Sequence, residues 1–248
     1  MSLGKSALLR AAEAGNADEV RRLIKEDSVD LNEQSPNDGA TPLLLAAQAG
    51  HIEVARELCD AGADLDRSTD DDATPLFVAA SQGHVEVVEM LLKFGASKDQ
   101  ARADGATPLY TASLFAHTDV VKALCTAGAD LDRSKHNGVT PLLIAVDNGN
   151  VEVVRALLAA RADTQRGSNG TTPLAAAEHC AYPEIEMMLL DAGATKQASN
   201  VSHGCTVFCV VILSIASCGF WAFVMHLAHV IGWWDEPINP RARYHSEL

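Results

Sequence analysis

Basic side chains are scarce in this sequence. Lys and Arg number 19 against 33 Asp and Glu in 248 residues, a formal net charge of −14. Gripping a phosphate backbone requires clustered Lys and Arg, so nucleic acid is not an expected partner. Paired or clustered cysteines are missing too. The six cysteines show neither metal-ligand nor disulfide spacing, and Cys59, Cys125 and Cys180 each stand alone, as expected in a reducing compartment. Met1 to Arg10 holds no apolar run, so no signal peptide is expected. No Ser/His/Asp, Cys/His or paired-carboxylate arrangement is present. The expectation is a chain that is not an enzyme, with no cofactor, no metal and no small-molecule substrate.

What is present is a repeat. Thr-Pro-Leu occurs at Thr41, Thr74, Thr107, Thr140 and Thr172, at intervals of 33, 33, 33 and 32 residues. A small-residue pair follows each time (Ala46-Ala47, Ala79-Ala80), then a turn such as Gly50-His51 or Gly83-His84. An acidic residue then opens an apolar stretch (Glu53, Glu86, Glu152, Glu184), and Gly-Ala-Asp closes it at Gly62 and Gly128. Thr before Pro predicts a helix N-cap with proline in the first turn, where no backbone N–H is needed. Gly50 suits a left-handed stop. A second helix then starts near Ile52, with Glu53 against the positive end of its dipole. Val87, Val88, Leu91 and Leu92 fall at helical spacing. No such unit buries its apolar face alone, so stability must come from stacking.

These residues resemble the ankyrin repeat, whose signature is Thr-Pro-Leu-His-x-Ala on a period of about 33. The resemblance covers Ser6 to Thr195. The histidine after Thr-Pro-Leu is replaced every time, by Leu44, Phe77, Tyr110, Leu143 and Ala175. Asp72 stands where other units have Gly39, Gly105, Gly138 and Gly170, and Arg161 replaces a helix-ending glycine, which predicts a less regular end there. The last unit departs most, with Glu178, Ala181-Tyr182 and Pro183 at variant positions.

In chain order, Gly4-Lys5-Ser6 has the ending of a phosphate loop without its upstream glycine and strand, and carries no nucleotide expectation. Ser6 to Glu26 reads as a first helix pair whose charged exterior (Arg10, Glu13, Arg21, Arg22, Lys25) suits a capping unit. His51, His84 and His117 share one register and read as structural turn histidines. The expected fold is an all-α solenoid of six helix-turn-helix repeats with extended loops. Its bounds are about 5–37, 38–70, 71–103, 104–136, 137–168 and 169–195, within a repeat domain at 1–195.

After a polar linker at 196–204, residues 205–234 contain no Asp, Glu, Lys or Arg. About 20 apolar residues span a bilayer core. A C-terminal transmembrane helix is therefore expected, built on Val207, Phe208, Ile212, Leu213, Ile215, Phe220, Trp221 and Phe223, with Trp233 and Trp234 at the interface. Polar residues 235–248 form the tail. A hairpin about Gly219 is the alternative, with arms of about 15 residues reaching roughly 22 Å as helix. Ser214, Cys218 and Ala222 form a small-residue face, and Cys205 and Cys209 are acylation candidates near the boundary. Membrane lipid is thus an expected partner, in a single-pass protein with its repeats facing the cytosol. The identity of the membrane is left open.

The resemblance implies a binder that grips a partner protein with a concave surface of loop tips and first helices, acting as scaffold or adaptor. Two other classes stay open: an accessory subunit of a membrane enzyme or channel, and a soluble inhibitor with a packed apolar tail. On the concave face the two residues after the small pair are Ser81 and Gln82, or Asp147 and Asn148, but Leu114 and Phe115 in the fourth unit. Leu114 and Phe115 are the expected anchor. Asp70, Asp71 and Asp72 are the expected charged rim for a basic partner segment.

Overall fold

The computed structural model describes residues 6–26 and 29–196. The apolar segment at 205–234, the tail at 235–248, Cys205, Cys209 and all of the linker but Lys196 lie outside the described residues, as do Gly4 and Lys5. Among the described residues no helix is long and apolar enough to cross a membrane.

Twelve helices form six successive pairs among the described residues. The first helices are α1 (Ala7–Glu13), α3 (Pro42–Ala49), α5 (Pro75–Gln82), α7 (Pro108–Leu114), α9 (Pro141–Asp147) and α11 (Pro173–His179). The second helices are α2 (Ala17–Ile24), α4 (Ile52–Asp60), α6 (Val85–Phe94), α8 (Thr118–Thr126), α10 (Val151–Ala159) and α12 (Pro183–Asp191). Each first helix packs on the next first helix, each second on the next second, and the two layers enclose one continuous core.

The local causes match the sequence expectations. In every first helix the hydroxyl of Thr, or of Ser6, accepts the backbone N–H three residues on, at 3.1–3.3 Å. Such a cap is worth about 1 kcal/mol. Leu43, Leu76, Leu109, Leu142 and Leu174, the leucines of Thr-Pro-Leu, are all fully buried.

The second helices begin differently. His51, His84 and His117 occupy N-cap positions but make no cap bond. Instead Nε2–H donates to a carbonyl of the preceding repeat: His51 to Glu13 (3.3 Å), His84 to Gln48 (3.1 Å) and His117 to Ser81 (3.0 Å). The side chain at the N-cap position thus stitches neighbouring repeats together and leaves its own helix uncapped.

These rings explain the glycines before them. Gly83 has φ 79, and a Cβ there would meet His117 Nδ1 at 2.5 Å. Where the turn residue is Ala116, with φ 59, the next repeat carries Asn150 in place of histidine, and its Nδ2 donates to the Ser113 carbonyl at 3.4 Å. The turn side chain and the residue one repeat later are therefore a matched pair.

One expectation changes, and one departure finds its place. Arg161 does not disorder its helix end: it adopts φ 71, and Ala162 N–H reaches Leu157 O at 3.0 Å, as Ala63 N–H reaches Leu58 O. The cost falls on backbone strain and not on register. Glu178 is exposed and paired with Lys196 at 2.8 Å, whereas Ala47, Ala80 and Val146 in the same register are 0% exposed. Those three are covered by a following first helix among the described residues, and Glu178 is not. Met187 and Leu190 are likewise exposed on α12.

Candidate protein-binding face

Leu44, Phe77 and Tyr110, which replace histidine after Thr-Pro-Leu, build a second apolar layer, outside the main core, along the first helices, whereas Leu143 in the same register joins the main core. Leu9, Ala40, Leu44 and Leu45 form one cluster. Ala73, Phe77, Ala106 and Tyr110 form another, with Val78, Leu114, Val139 and Ile144 packed at its margin. The alanines and Val139 come from the loop immediately before each helix, so this layer joins loop tips to first helices.

The loop tips form a ladder of their own. Asp70 N–H donates to Asp38 O (3.3 Å), Ala103 N–H to Asp71 O (3.1 Å) and His136 N–H to Asp104 O (3.1 Å). Arg102 lies within it, only 8% exposed, with its guanidinium 5.7 Å over the Phe77 ring. It pairs with Asp104 at 2.7 Å and with Asp71 at 3.9 Å, and Lys135 reaches Asp104 at 3.2 Å. Burial alone would raise the Asp104 pKa. The Arg102 hydrogen bond, the Ala106 amide and the charges of Arg102 and Lys135 outweigh it and hold the carboxyl below its usual range.

The residues chosen from sequence fall into three situations. Asp71 faces the chain's own Arg102 and accepts from Thr69 Oγ1, Asp72 takes the left-handed turn with φ 63, and Asp70 is exposed beside Gly39. The acidic rim is thus partly spent within the fold. Gln82 is exposed, and Ser81 donates to the Val78 carbonyl at 2.8 Å. Leu114 and Phe115 are half-buried rather than fully exposed: Leu114 packs on the Phe77–Tyr110 cluster, and the Phe115 ring lies 6.2 Å from that of His117. Asn148 ties α9 to α7 by donating to the Leu114 carbonyl at 3.0 Å.

Asp147 differs from the other acids. It is half-buried at the end of α9, and no hydrogen bond or ion pair reaches its carboxylate among the described residues. Burial pushes its pKa up. Tyr110, on the adjacent helix, is pushed up to about 12 by burial and by the charges of Asp104 and Asp147. Sequence reasoning missed Arg102 and Tyr110 as members of this face. The signal available was a bulky side chain after Thr-Pro-Leu.

Two open grooves lie on the second-helix layer, one between α4 and α6 and one between α8 and α10, and include none of these residues. Burial raises the Cys59 and Cys125 thiols to about 11, which keeps them protonated at neutral pH. Among the described residues no three His, Cys, Asp or Glu side chains are placed to hold a metal.

The chain resembles known proteins over this whole region. An ankyrin repeat domain from Acinetobacter baumannii AYE is 30% identical, covers 76% of this chain and 98% of its own, and superposes with a TM-score of 0.71. EF0377, an ankyrin repeat protein, is 29% identical over 74% of this chain and 96% of its own, with a TM-score of 0.70. No match was found among curated proteins. The family model described as ankyrin repeats (3 copies) matches residues 1–69, 65–135 and 128–200. With most of its length matched in this way, and with six stacked helix pairs, the chain belongs to the ankyrin-repeat family.

Proposed function

We propose that this protein is a non-enzymatic, membrane-anchored interaction module, acting as scaffold or adaptor, with its repeats in the cytosol. Ankyrin repeats generally mediate binding to protein partners. The observation that carries the binding half of the proposal is the apolar layer that surfaces at Leu114, with half-buried Phe115 next to it, where other repeats place Gln48 and Ala49 or Ser81 and Gln82. Partly exposed aliphatic and aromatic groups beside a neutralised polar network make an anchor with a polar surround. The membrane half rests on the uncharged run at 205–234.

Both halves are testable in cells with the full-length protein. It should sediment with membranes and resist alkaline carbonate; release by carbonate overturns the anchor and favours a soluble binder. Asn169 is exposed in a turn within a glycosylation sequon, so the absence of a glycan there is informative. A glycan on Asn169 would place the repeats on the lumenal side. The double change Leu114→Ser, Phe115→Ser should abolish partner recovery while costing less than the roughly 2–5 kcal/mol of a core truncation.

A further inference from the structure

The seam between α7 and α9 carries two polar groups that make no hydrogen bond or ion pair among the described residues. Tyr110 and Leu114 are four residues apart on α7, and Ile144 and Asp147 are three apart on α9, so each pair shares a helix face. Tyr110, Leu114 and Ile144 belong to one apolar cluster. Tyr110 is 6% exposed, and its hydroxyl, which makes no hydrogen bond among the described residues, is the part of it that reaches the surface. The Asp147 carboxylate, half-buried on the neighbouring helix, also lacks a partner among them. A carboxylate removed from part of its water without a counter-charge is unfavourable.

We infer that this seam receives a lysine or arginine side chain from a partner protein, with Asp147 as its counter-charge, the Tyr110 hydroxyl as a second acceptor, and Leu114 and Ile144 against its aliphatic stem. The inference rests on the reading of this face as the docking surface and adds the chemistry of what docks. A long basic side chain suits both parts of the seam: its methylenes lie on apolar surface while its cationic head reaches the acid. A metal ion suits it poorly, because Asp147 stands without a second acidic or imidazole ligand among the described residues. Asp71 and Asp104 already face Arg102 and Lys135, while Asp70 and Asp72 are exposed to water and lie outside the apolar cluster. The expected basic-segment receptor therefore moves from the Asp70–Asp72 loop to Asp147.

The test uses short random peptides displayed on phage and selected on the full-length chain. Selected peptides should carry Lys or Arg at one fixed position next to an aliphatic residue. Asp147→Asn should weaken them about thirtyfold or more, the range for removing one member of a desolvated pair. Asp147→Lys should accept peptides with Glu at that position. The melting temperature of Asp147→Asn should stay level or rise, since no internal partner is lost. Peptides that fail on the Leu114→Ser, Phe115→Ser variant but bind Asp147→Asn unchanged would overturn the basic-residue receptor and leave the docking surface standing. Peptides indifferent to both changes, or the absence of any binder, would overturn both.

Discussion

Asp104 and Asp147 sit one repeat apart, each partly buried, and the fold treats them in opposite ways. Asp104 accepts from Arg102 and the Ala106 amide and lies within 3.2 Å of Lys135. Asp147 has no such company, and burial acts on it alone. One acid is held below its ordinary pKa and the other above it. The first organises loop tips and belongs to stability. The second has no hydrogen-bond or ion-pair partner among the described residues. On a surface made by repetition, such a local departure is more informative than the repeated pattern around it.

The largest effect should come from the neutralised side. Asp104→Ala strips Arg102 of its close carboxylate while leaving the guanidinium buried, and should cost about 3 kcal/mol in denaturant unfolding. Because its folded pKa is depressed, Asp104 supports stability fully above the ordinary aspartate value, and that support fades as pH falls through the lower folded value. The acid limb of the stability profile should flatten in the variant.

Next is the matched turn. Gly83→Ala combines a positive φ with a Cβ that would lie 2.5 Å from His117, and should cost about 2–3 kcal/mol. Adding His117→Asn, which copies the Ala116 and Asn150 pairing, should recover part of that loss. Equal loss in the single and double variants would show that backbone strain alone sets the glycine requirement. Ala116→Gly is smaller and of opposite sign, a gain of up to about 1 kcal/mol from relieved strain.

Smallest is Asp147→Asn. With a raised folded pKa, Asp147 costs stability above that value, and the cost disappears below the ordinary aspartate value. At neutral pH the variant should be as stable as the parent or slightly more so. A clear loss would reveal an internal partner and erase the contrast with Asp104.

Most of the fold is legible in the sequence, because the repeat states the same instructions five times over. Thr41 and its counterparts cap, proline opens the helix, and the buried leucine seats it. The roles of Leu44, Phe77 and Tyr110 are less legible: the departure from the expected histidine is visible, but not that Phe77 and Tyr110 join one cluster across repeats while Leu44 joins Leu9 and Leu45 in another. Charge is the least legible. The Asp70–Asp72 triplet stands out in the chain, yet Arg102, which lies 3.9 Å from Asp71, is a repeat away, a pairing that only stacking creates. Asp147 stands out in the sequence by its register alone, and its isolation depends on what neighbouring helices fail to supply.

The most direct test is a site-specific carboxyl titration by NMR of the full-length protein, following Asp104 and Asp147 together. Asp104 should titrate below the ordinary aspartate value of about 3.9 and Asp147 above it. If Asp147 titrates at or below that value, it already has a favourable partner or full hydration, and the claim that this seam holds an acid in reserve for a basic partner is wrong.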